Sequence, residues 1–252
     1  MTERAEFLDL YFDTWAIDRV RSWLAERDAD SPYAYVVTPN VDHMVRLANA
    51  PAEVRRAYAE ADLRLCDSRV LARLAAFAGV RLSVVPGSDL TADLFQTLLR
   101  PEDTVCLIGG DDGDGDRLMA LYPALTIMQH RPPMGLRRDP VARGRAVDVA
   151  VAAGARVVLF AVGSPQQELL AREMADRPDA RGTAMCIGAS IDFLLGTQTR
   201  APEIVRRLSM EWAWRLLTDP RRLARRYLME GPAIFPMVWR WRRARRRSSI
   251  AG

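Results

Sequence analysis

Short apolar runs that stop abruptly at polar residues recur along the chain. The first two are Tyr33–Val37 and Leu63–Cys66, and their length and side-chain content are typical of buried strands. Between them, apolar residues follow helical spacing over Val41–Ala61, with an interruption at Pro51. This stretch therefore predicts a strand, a helix and a second strand that pairs in parallel with the first.

Polar residues directly follow both predicted strands. Thr38 and Asn40 come after the first strand, and Asp67 comes after the second. Parallel strands deliver their carboxyl ends to one edge of an open sheet, and ligands bind in the crevice outside that edge. We therefore expect Thr38, Asn40 and Asp67 to face one another at a binding site.

The alternation of strand and helix patterns continues as far as Asp192. Four further strands are predicted, at Thr104–Ile108, Leu125–Met128, Arg156–Val162 and Thr183–Ile187. Beyond Asp192 only helical patterns occur, and Pro202 and Pro220 begin two of them. The sequence thus predicts a Rossmann-like α/β domain at residues 1–197, with a mostly parallel sheet and helices on both faces, followed by a basic helical C-terminal appendage at residues 198–252.

Composition and charge narrow the class of protein. A chain of 252 residues with 49% hydrophobic content can bury a large core. Residues 200–252 contain fourteen arginines and four acidic residues, a net charge of +10, which leaves about −6 for the rest because the whole chain carries +4. No apolar stretch approaches the ~20 residues that span a bilayer, and the first residues lack the features of a signal peptide. The three cysteines lie in separate apolar runs, so we expect a cytoplasmic protein with reduced thiols.

Asp67 is the best candidate in the sequence for a catalytic base. A carboxylate at a strand end inside a cleft is partly desolvated, which raises its proton affinity toward the value that deprotonation of an alcohol requires. Aspartate is also a favoured N-cap, so Asp67 would equally well begin the helical pattern of Ser68–Phe77. The sequence leaves the general base and the helix cap as two open alternatives.

Glycine-rich turns follow two other predicted strands. Gly109 and Gly110 could bring the backbone close to a phosphate, but aspartates follow them, and a simple tight turn is the competing interpretation. Asp111 and Asp112 would also suit a metal-binding pair, although acidic residues in such loops are more often solvated. The turn Gly163–Pro165 is the stronger indication of a binding site, because proline at a first helical position would aim free amides outward.

Several blocks of the chain resemble one known family. They are Thr38-Pro-Asn40, Ala61–Asp67, Gly87-Ser-Asp89, Gly163–Glu168, Gly188–Phe193, Arg200-Ala-Pro202 and Glu211–Tyr227. In these blocks, which extend over roughly Thr38 to Tyr227, the chain is similar to the WecG/TagA/CpsF glycosyltransferases. The last block is the most specific of them.

The resemblance implies a function and a set of site residues. Members of the family are inverting, metal-independent bacterial enzymes that move a sugar from a UDP-sugar to an undecaprenyl-diphosphate-linked sugar, building wall polymers or exopolysaccharide. By this resemblance Asp67 is the general base, and Thr38, Asn40 and Gln167 are active-site residues. We assign substrate binding to Gly109, Gly110, Gly163, Pro165, Asp192, Arg200, Arg215, Arg222 and Arg225.

The chain departs from the family pattern close to the candidate base. Val84 stands where the family has an arginine, and Ser68 stands where glycine commonly follows the aspartate. Arg81 or an arginine of the appendage would have to supply the missing charge. The donor sugar therefore stays open.

Two functions of other classes compete with sugar transfer. The arginines of the appendage could bind nucleic acid, but the acidic body and the lack of a DNA-reading motif disfavour this. A dinucleotide-dependent oxidoreductase on the same fold would need a glycine-rich fingerprint that the chain lacks.

Inverting transfer fits the residues better, because it needs one carboxylate to deprotonate the acceptor and cations to stabilise the departing diphosphate. The apolar segment Ile234–Trp241 and the basic segment Arg242–Arg247 suit a helix at an anionic membrane surface. We therefore expect a UDP-sugar donor, a lipid-diphosphate-linked sugar acceptor and the inner face of the cytoplasmic membrane as partners. We expect no metal, no cofactor and no nucleic acid, and self-association is compatible with the sequence.

Overall fold

The computed structural model describes residues 3–198, 202, 205 and 210–250. The strands are β1 (Arg4–Phe7), β2 (Leu10–Asp13), β3 (Ala34–Val37), β4 (Leu63–Arg64), β5 (Thr104–Gly109), β6 (Thr126–His130), β7 (Val157–Ala161) and β8 (Thr183–Cys186). The helices before the appendage are α1 (Ile17–Ala25), α2 (Val41–Leu47), α3 (Ala52–Ala59), α4 (Arg69–Phe77), α5 (Gly87–Asp93), α6 (Asp114–Leu121), α7 (Pro140–Ala152), α8 (Gln166–Ala175) and α9 (Ser190–Leu194). The appendage contains α10 (Glu211–Thr218), α11 (Pro220–Ala224) and α12 (Ile234–Ile250).

The central sheet has six strands in the order β4-β3-β8-β7-β5-β6, and each pairing in it is parallel. This confirms the predicted Rossmann-like α/β class. The predicted strand at Leu63–Cys66 is shorter than expected, although Cys66 still forms an isolated parallel bridge to Val84. The chain therefore runs beside Val84 immediately before it reaches Asp67.

Alternate side chains of each strand enter opposite layers of the core. In β7, Val158 and Phe160 belong to one layer of the core, and Val157 and Leu159 belong to the other. All four side chains are buried. The first layer also contains side chains of α2, α3, α4, α7 and α8. The second contains side chains of α1, α5, α6 and α9. Burial on both faces explains why the strands are continuous apolar runs in the sequence.

The connections that leave neighbouring strands diverge at the carboxyl edge of the sheet. The helices that follow β3 and β7 pack on one face, and α9, which follows the intervening strand β8, packs on the other. Chain directions that diverge in this way leave a crevice outside the strand ends. The ends of β4, β3, β8 and β7 lie along this edge in that order.

An N-terminal hairpin, which the sequence analysis did not predict, covers the outer strand. Strands β1 and β2 pair antiparallel, and Leu8 and Asp9 at the tip have φ angles of 51° and 61°. The carboxylate of Asp13 is buried, and it accepts hydrogen bonds from the backbone N–H of Arg64 and from Nε of Arg4, each at 2.9 Å. The hairpin is thereby fixed to β4.

Helix α12 docks on the body with one of its faces. Ile234 and Val238 are buried, and the ring of Trp241 meets the ring of Phe7 edge to face at a centroid distance of 5.4 Å. The predicted division at residue 197 stays a prediction, because most of residues 199–209 lie outside the described part. Among the described residues, no helix is both long enough and apolar enough to cross a membrane.

Candidate active site

Four of the predicted residues follow the carboxyl ends of three strands of the sheet, β4, β3 and β7. Asp67 follows β4, Thr38 and Asn40 follow β3, and Gln167 lies in the first turn of the helix after β7. Neighbouring strands lie about 5 Å apart, so roughly 15 Å separates the end of β4 from the end of β7. A site of that breadth accommodates a ligand much larger than a single sugar.

Two donors among the described residues, from different elements, orient Asp67. Its Oδ1 accepts a hydrogen bond from the backbone N–H of Gly87 at 2.7 Å, and its Oδ2 faces Nδ2 of Asn40 at 3.4 Å. The helix-cap interpretation of Asp67 is wrong, because Ser68 is the N-cap of α4 and its hydroxyl accepts the N–H of Leu71 at 3.2 Å. The carboxylate is therefore oriented at the strand end instead of being used to begin a helix.

Asn40 owes its position to a capping box. It is the N-cap of α2, and its Oδ1 accepts hydrogen bonds from the N–H groups of Asp42 and His43 at 3.1 and 3.3 Å. The ring of His43 completes the capping box, because its Nδ1 accepts a hydrogen bond from the backbone N–H of Asn40 at 3.4 Å. With its carbonyl oxygen engaged, the side chain of Asn40 presents its amide hydrogens to Asp67.

Gly87 is the site residue that sequence reasoning missed. It begins α5, and its amide is the donor to Asp67. A Cβ atom on Gly87 would lie 2.9 Å from Oγ1 of Thr38, a closer approach than such atoms show, so glycine lets Thr38 and the amide lie side by side. The signal was present in the sequence, because a Pro-Gly pair after an apolar segment marks a tight approach of the backbone.

Gln167 is buried and joins two strand ends. Its Oε1 accepts the backbone N–H of Gly188 after β8 at 3.0 Å, and its Nε2 donates to Oε1 of Glu168 at 2.8 Å. Burial raises the pKa of Glu168 above its ordinary value, although the hydrogen bond from Gln167 opposes this shift. Gln167 thus ties the turn after β8 to the start of α8.

The turn before α8 is built differently from the prediction. Pro165 is the N-cap of the helix, one position earlier than expected, and the N–H of Gln167 donates to the carbonyl of Gly163 at 3.1 Å. That amide is therefore already engaged within the turn. The predicted binding roles of Gly163 and Pro165 stay predictions.

The turn after β5 closes on itself. Gly110 has a φ of +73°, and the carboxylate of Asp114 accepts the backbone N–H of Asp111 at 2.6 Å. This geometry favours the tight-turn interpretation over a phosphate cradle at Gly109 and Gly110. Asp112 forms an ion pair with Arg131 at 2.8 Å, and nowhere in the described part of the chain do three or more His, Cys, Asp or Glu side chains gather as metal ligands.

The remaining predicted residues lie toward the appendage. The Oδ2 of Asp192 accepts Nε2 of Gln198 at 2.8 Å, so Asp192 fixes the chain that leads out of α9. Arg200 and the side chains of Arg215 and Arg222 lie outside the described residues. Arg225 is 81% exposed and pairs with Glu230 at 3.1 Å.

Glu230 also connects the appendage to α2, the helix that begins at Asn40. One of its carboxylate oxygens lies 3.9 Å from a guanidinium nitrogen of Arg46, and Arg46 in turn pairs with Asp42 at 3.3 Å. Residues 225–233 thereby pack beside the helix that orients Asn40. The described part of the appendage is therefore close to the helix that begins at Asn40.

Val84, which replaces the family arginine, lies directly beside the strand that carries Asp67. Arg81 is three residues earlier in the same extended segment, and at about 3.3 Å per residue it lies roughly 10 Å farther from the carboxyl edge. Arg81 is therefore distant from the edge at which Asp67 lies, and supply of the charge by an arginine of the appendage stays a prediction.

This arrangement brings an oriented carboxylate and side-chain and backbone donors to the edge of the sheet at which ligands bind in folds of this class. A comparison with known protein families shows which family the chain matches. The family model described as "Glycosyl transferase WecG/TagA/CpsF family" matches residues 5–248, which is nearly the whole chain.

Proposed function

Because the chain belongs to the WecG/TagA/CpsF glycosyltransferase family, we propose that it is an inverting, metal-independent hexosyl- or N-acetylhexosaminyl-transferase. Its donor is a UDP-sugar, and its acceptor is a saccharide linked to a polyprenyl diphosphate, in the synthesis of a cell-wall polymer or an exopolysaccharide. The observation that carries the proposal is the carboxylate of Asp67, oriented at the carboxyl edge by Gly87 and Asn40.

Asp67 acts as the general base. An acceptor hydroxyl donates its proton to the carboxylate while its oxygen attacks the anomeric carbon of the donor from the face opposite the diphosphate. The bond between that carbon and the diphosphate oxygen breaks, UDP leaves with the electron pair, and the anomeric configuration inverts. A positioned base contributes about 10² to 10⁴ in rate to such a step.

The leaving diphosphate needs positive charge, and the appendage provides it. Fixed cations near a developing negative charge stabilise a transition state because they need little reorganisation during the reaction. Arg225 lies on the segment that packs beside α2, and Arg200, Arg215 and Arg222 belong to the same arginine-rich region. If these arginines act in this way, the appendage has to close over the site before the sugar is transferred.

The outer face of α12 is proposed to contact an anionic membrane at the inner face of the cytoplasmic membrane. Phe235 and Trp239 are 59% and 55% exposed on the face opposite the docked side chains Ile234 and Val238. Further along the helix this outer face becomes basic, with Arg243 and Arg246 exposed. Exposed aromatic residues beside arginines are typical of interfacial helices, and each cation near an anionic surface contributes about 1 kcal/mol.

Turnover of a panel of UDP-sugars with a short-chain lipid-diphosphate-linked acceptor tests the proposal. We expect release of UDP and an inverted product with one donor, and we expect activity to survive EDTA. Asp67→Asn is the matched variant, because asparagine keeps an acceptor for the N–H of Gly87 but cannot take a proton. It should retain the affinity for UDP and lose at least ~100-fold in turnover.

Two results would count against this function. Loss of activity in EDTA with recovery in magnesium or manganese would move the chemistry to a metal and to Asp111 and Asp112. Near-wild-type turnover of Asp67→Asn would remove the base from the mechanism. Binding of duplex DNA or NAD, measured beside UDP, provides the comparison with the other two classes of function.

A further inference from the structure

A buried acidic residue that the proposed mechanism does not use lies next to Gln167. Glu168 is 1% exposed, in the first turn of α8 and packed against α3. Its Oε1 accepts the amide hydrogen of Gln167 at 2.8 Å. The hydroxyls of Tyr58 and Ser164 lie 2.9 Å from each other, and Oε2 of Glu168 is buried with no hydrogen-bond partner among the described residues.

A charged carboxylate is costly to bury without a cation, and no ion pair of Glu168 occurs among the described residues. Burial accordingly raises its pKa, which favours the neutral acid. The groups that face it from neighbouring elements are Tyr58 on α3 and Cys186 on β8, and burial raises the pKa of both as well. The carboxyl group of Glu168 therefore has one hydrogen bond among the described residues, the one from Gln167, and no counter-charge there.

The side-chain amide of Gln167 connects Glu168 to the turn that follows β8. Gln167 donates to Glu168 with Nε2 and accepts the backbone N–H of Gly188 with Oε1. A side-chain amide that is held at both its nitrogen and its oxygen cannot rotate or flip. Gly188 has a φ of +53° and begins the turn between β8 and α9, at the point where the helices diverge.

We propose that Glu168 is a positioning residue that locks the amide of Gln167 and thereby fixes the Gly188 turn at the carboxyl edge of the sheet, beside the strand ends that carry Asn40 and Asp67. The inference rests on the proposed sugar transfer for its kinetic consequence. Its structural half, the lock on the Gly188 amide, is independent of the reaction. Glu168 itself does not touch the substrate.

Replacement of Glu168 by methionine tests the lock, because methionine has a similar length and no acceptor for Gln167. The freed amide should release the N–H of Gly188, and hydrogen exchange at that amide should accelerate at least tenfold. Turnover should fall about 10- to 100-fold with the KM for the donor within threefold, since misplacement by about 1 Å in a site costs up to ~10² in rate. Glu168→Gln keeps a carbonyl acceptor and should restore both the protection and the turnover to within threefold of the wild type.

Two further variants separate positioning from general destabilisation. Leu169→Val removes one buried methylene from the same helix turn, and it should lower the melting temperature without changing turnover or exchange at Gly188. On a Gln167→Met background, Glu168→Met should cost nothing more in turnover, because the bridge is already absent. If Glu168→Met does not fold, Glu168→Asp, whose shorter side chain withdraws the acceptor from Gln167, replaces it with the same expectations.

Unchanged exchange at Gly188 in a folded Glu168→Met protein would overturn the inference. Additive losses on the Gln167→Met background would also overturn it, because Glu168 would then act by another route. A wild-type protein that transfers no sugar but shows the exchange effect would refute the proposed function and leave the lock intact. The two failures are therefore distinguishable.

Discussion

The amide of Gly87 is the closest described donor to Asp67, and the absence of a side chain at position 87 is what lets it approach. A Cβ atom there would meet Oγ1 of Thr38 at 2.9 Å, although the backbone of Gly87 is in an ordinary helical conformation. The constraint is therefore steric and local. It concerns the distance between Thr38 and the donor to the base.

Gly87→Ala should lower turnover about tenfold or more, because the new methyl group must displace either the hydroxyl of Thr38 or the amide that orients Asp67. The measurement is steady-state kinetics beside a thermal melt. Gly144→Ala is a matched control, since a Cβ at that position in α7 meets nothing within 4 Å. That control should leave turnover unchanged and raise the free energy of unfolding by about 0.5 to 1 kcal/mol.

The steric origin can be checked with a second change. Thr38→Ala removes the oxygen that the methyl group would meet, so the combined variant should lose less turnover than the two single changes predict together. Full activity of Gly87→Ala, or strictly additive losses in the combined variant, would show that the amide of Gly87 tolerates displacement. Asp67 would then be oriented by other groups.

Single residues at strand ends were predictable, and contacts made through the backbone were not. Asp67, Thr38 and Asn40 could be placed together because each follows an apolar run, and parallel strands share one edge. The amide of Gly87 has no side chain to reveal it. Gln167 was found by resemblance alone, and its bridge between Glu168 and Gly188 depends on how α8 packs against β8, which no local pattern encodes.

The N-terminal hairpin shows where a secondary-structure element escapes prediction. Hairpin turns with positive φ usually carry Asn-Gly or a similar pair, and here Leu8 and Asp9 occupy those positions. Without that signal the four-residue strands on either side are too short to recognise. The hairpin exists because tertiary contacts hold it, above all the buried carboxylate of Asp13 against β4.

Asp13→Ala should destabilise the protein by about 3 to 5 kcal/mol, because it leaves the buried guanidinium of Arg64 without its counter-charge. The measurement is urea-induced unfolding at neutral pH. Asp18→Ala removes an exposed partner of Arg21 and should change stability by less than about 1 kcal/mol. If the two variants unfold at the same denaturant concentration, the hairpin is not anchored by this carboxylate.

Charge is divided unequally between the body and the appendage, and this division would favour one orientation of the molecule at a charged surface. The net charge is +10 in residues 200–252 and about −6 in the rest of the chain. Helix α12 docks by Ile234, Val238 and Trp241, so its opposite face carries the exposed aromatic and basic side chains. An anionic surface would attract the appendage and repel the body, and the crevice beside α2 would then lie near that surface.

The appendage is expected to perform two tasks that different variants separate. Truncation after Gly231 should abolish binding to anionic vesicles and retain some transfer to a water-soluble acceptor analogue. Truncation also uncovers Phe7, so Phe235→Gln combined with Trp239→Gln is the milder variant, because it changes the outer face and leaves the docked face of α12 in place. Met134→Gln, at a side chain that is 99% exposed elsewhere on the body, is its control.

Arg222→Ala and Arg225→Ala should fail in the opposite way. One cation among fourteen arginines matters little to a surface, whereas a cation beside the leaving diphosphate matters much to the transition state. These variants should therefore keep vesicle binding and lose transfer. Cosedimentation and turnover of the same preparations provide the two measurements.

Salt gives an independent check on this division. Exposed charges are screened over about 8 Å near physiological ionic strength, and a closed site is screened much less. Added salt should thus release the wild-type protein from vesicles at concentrations that leave transfer to the soluble analogue largely intact. Full vesicle binding by the outer-face variant, or weaker adhesion with unchanged turnover in the arginine variants, would show that the two tasks are not divided between α12 and the segment before it.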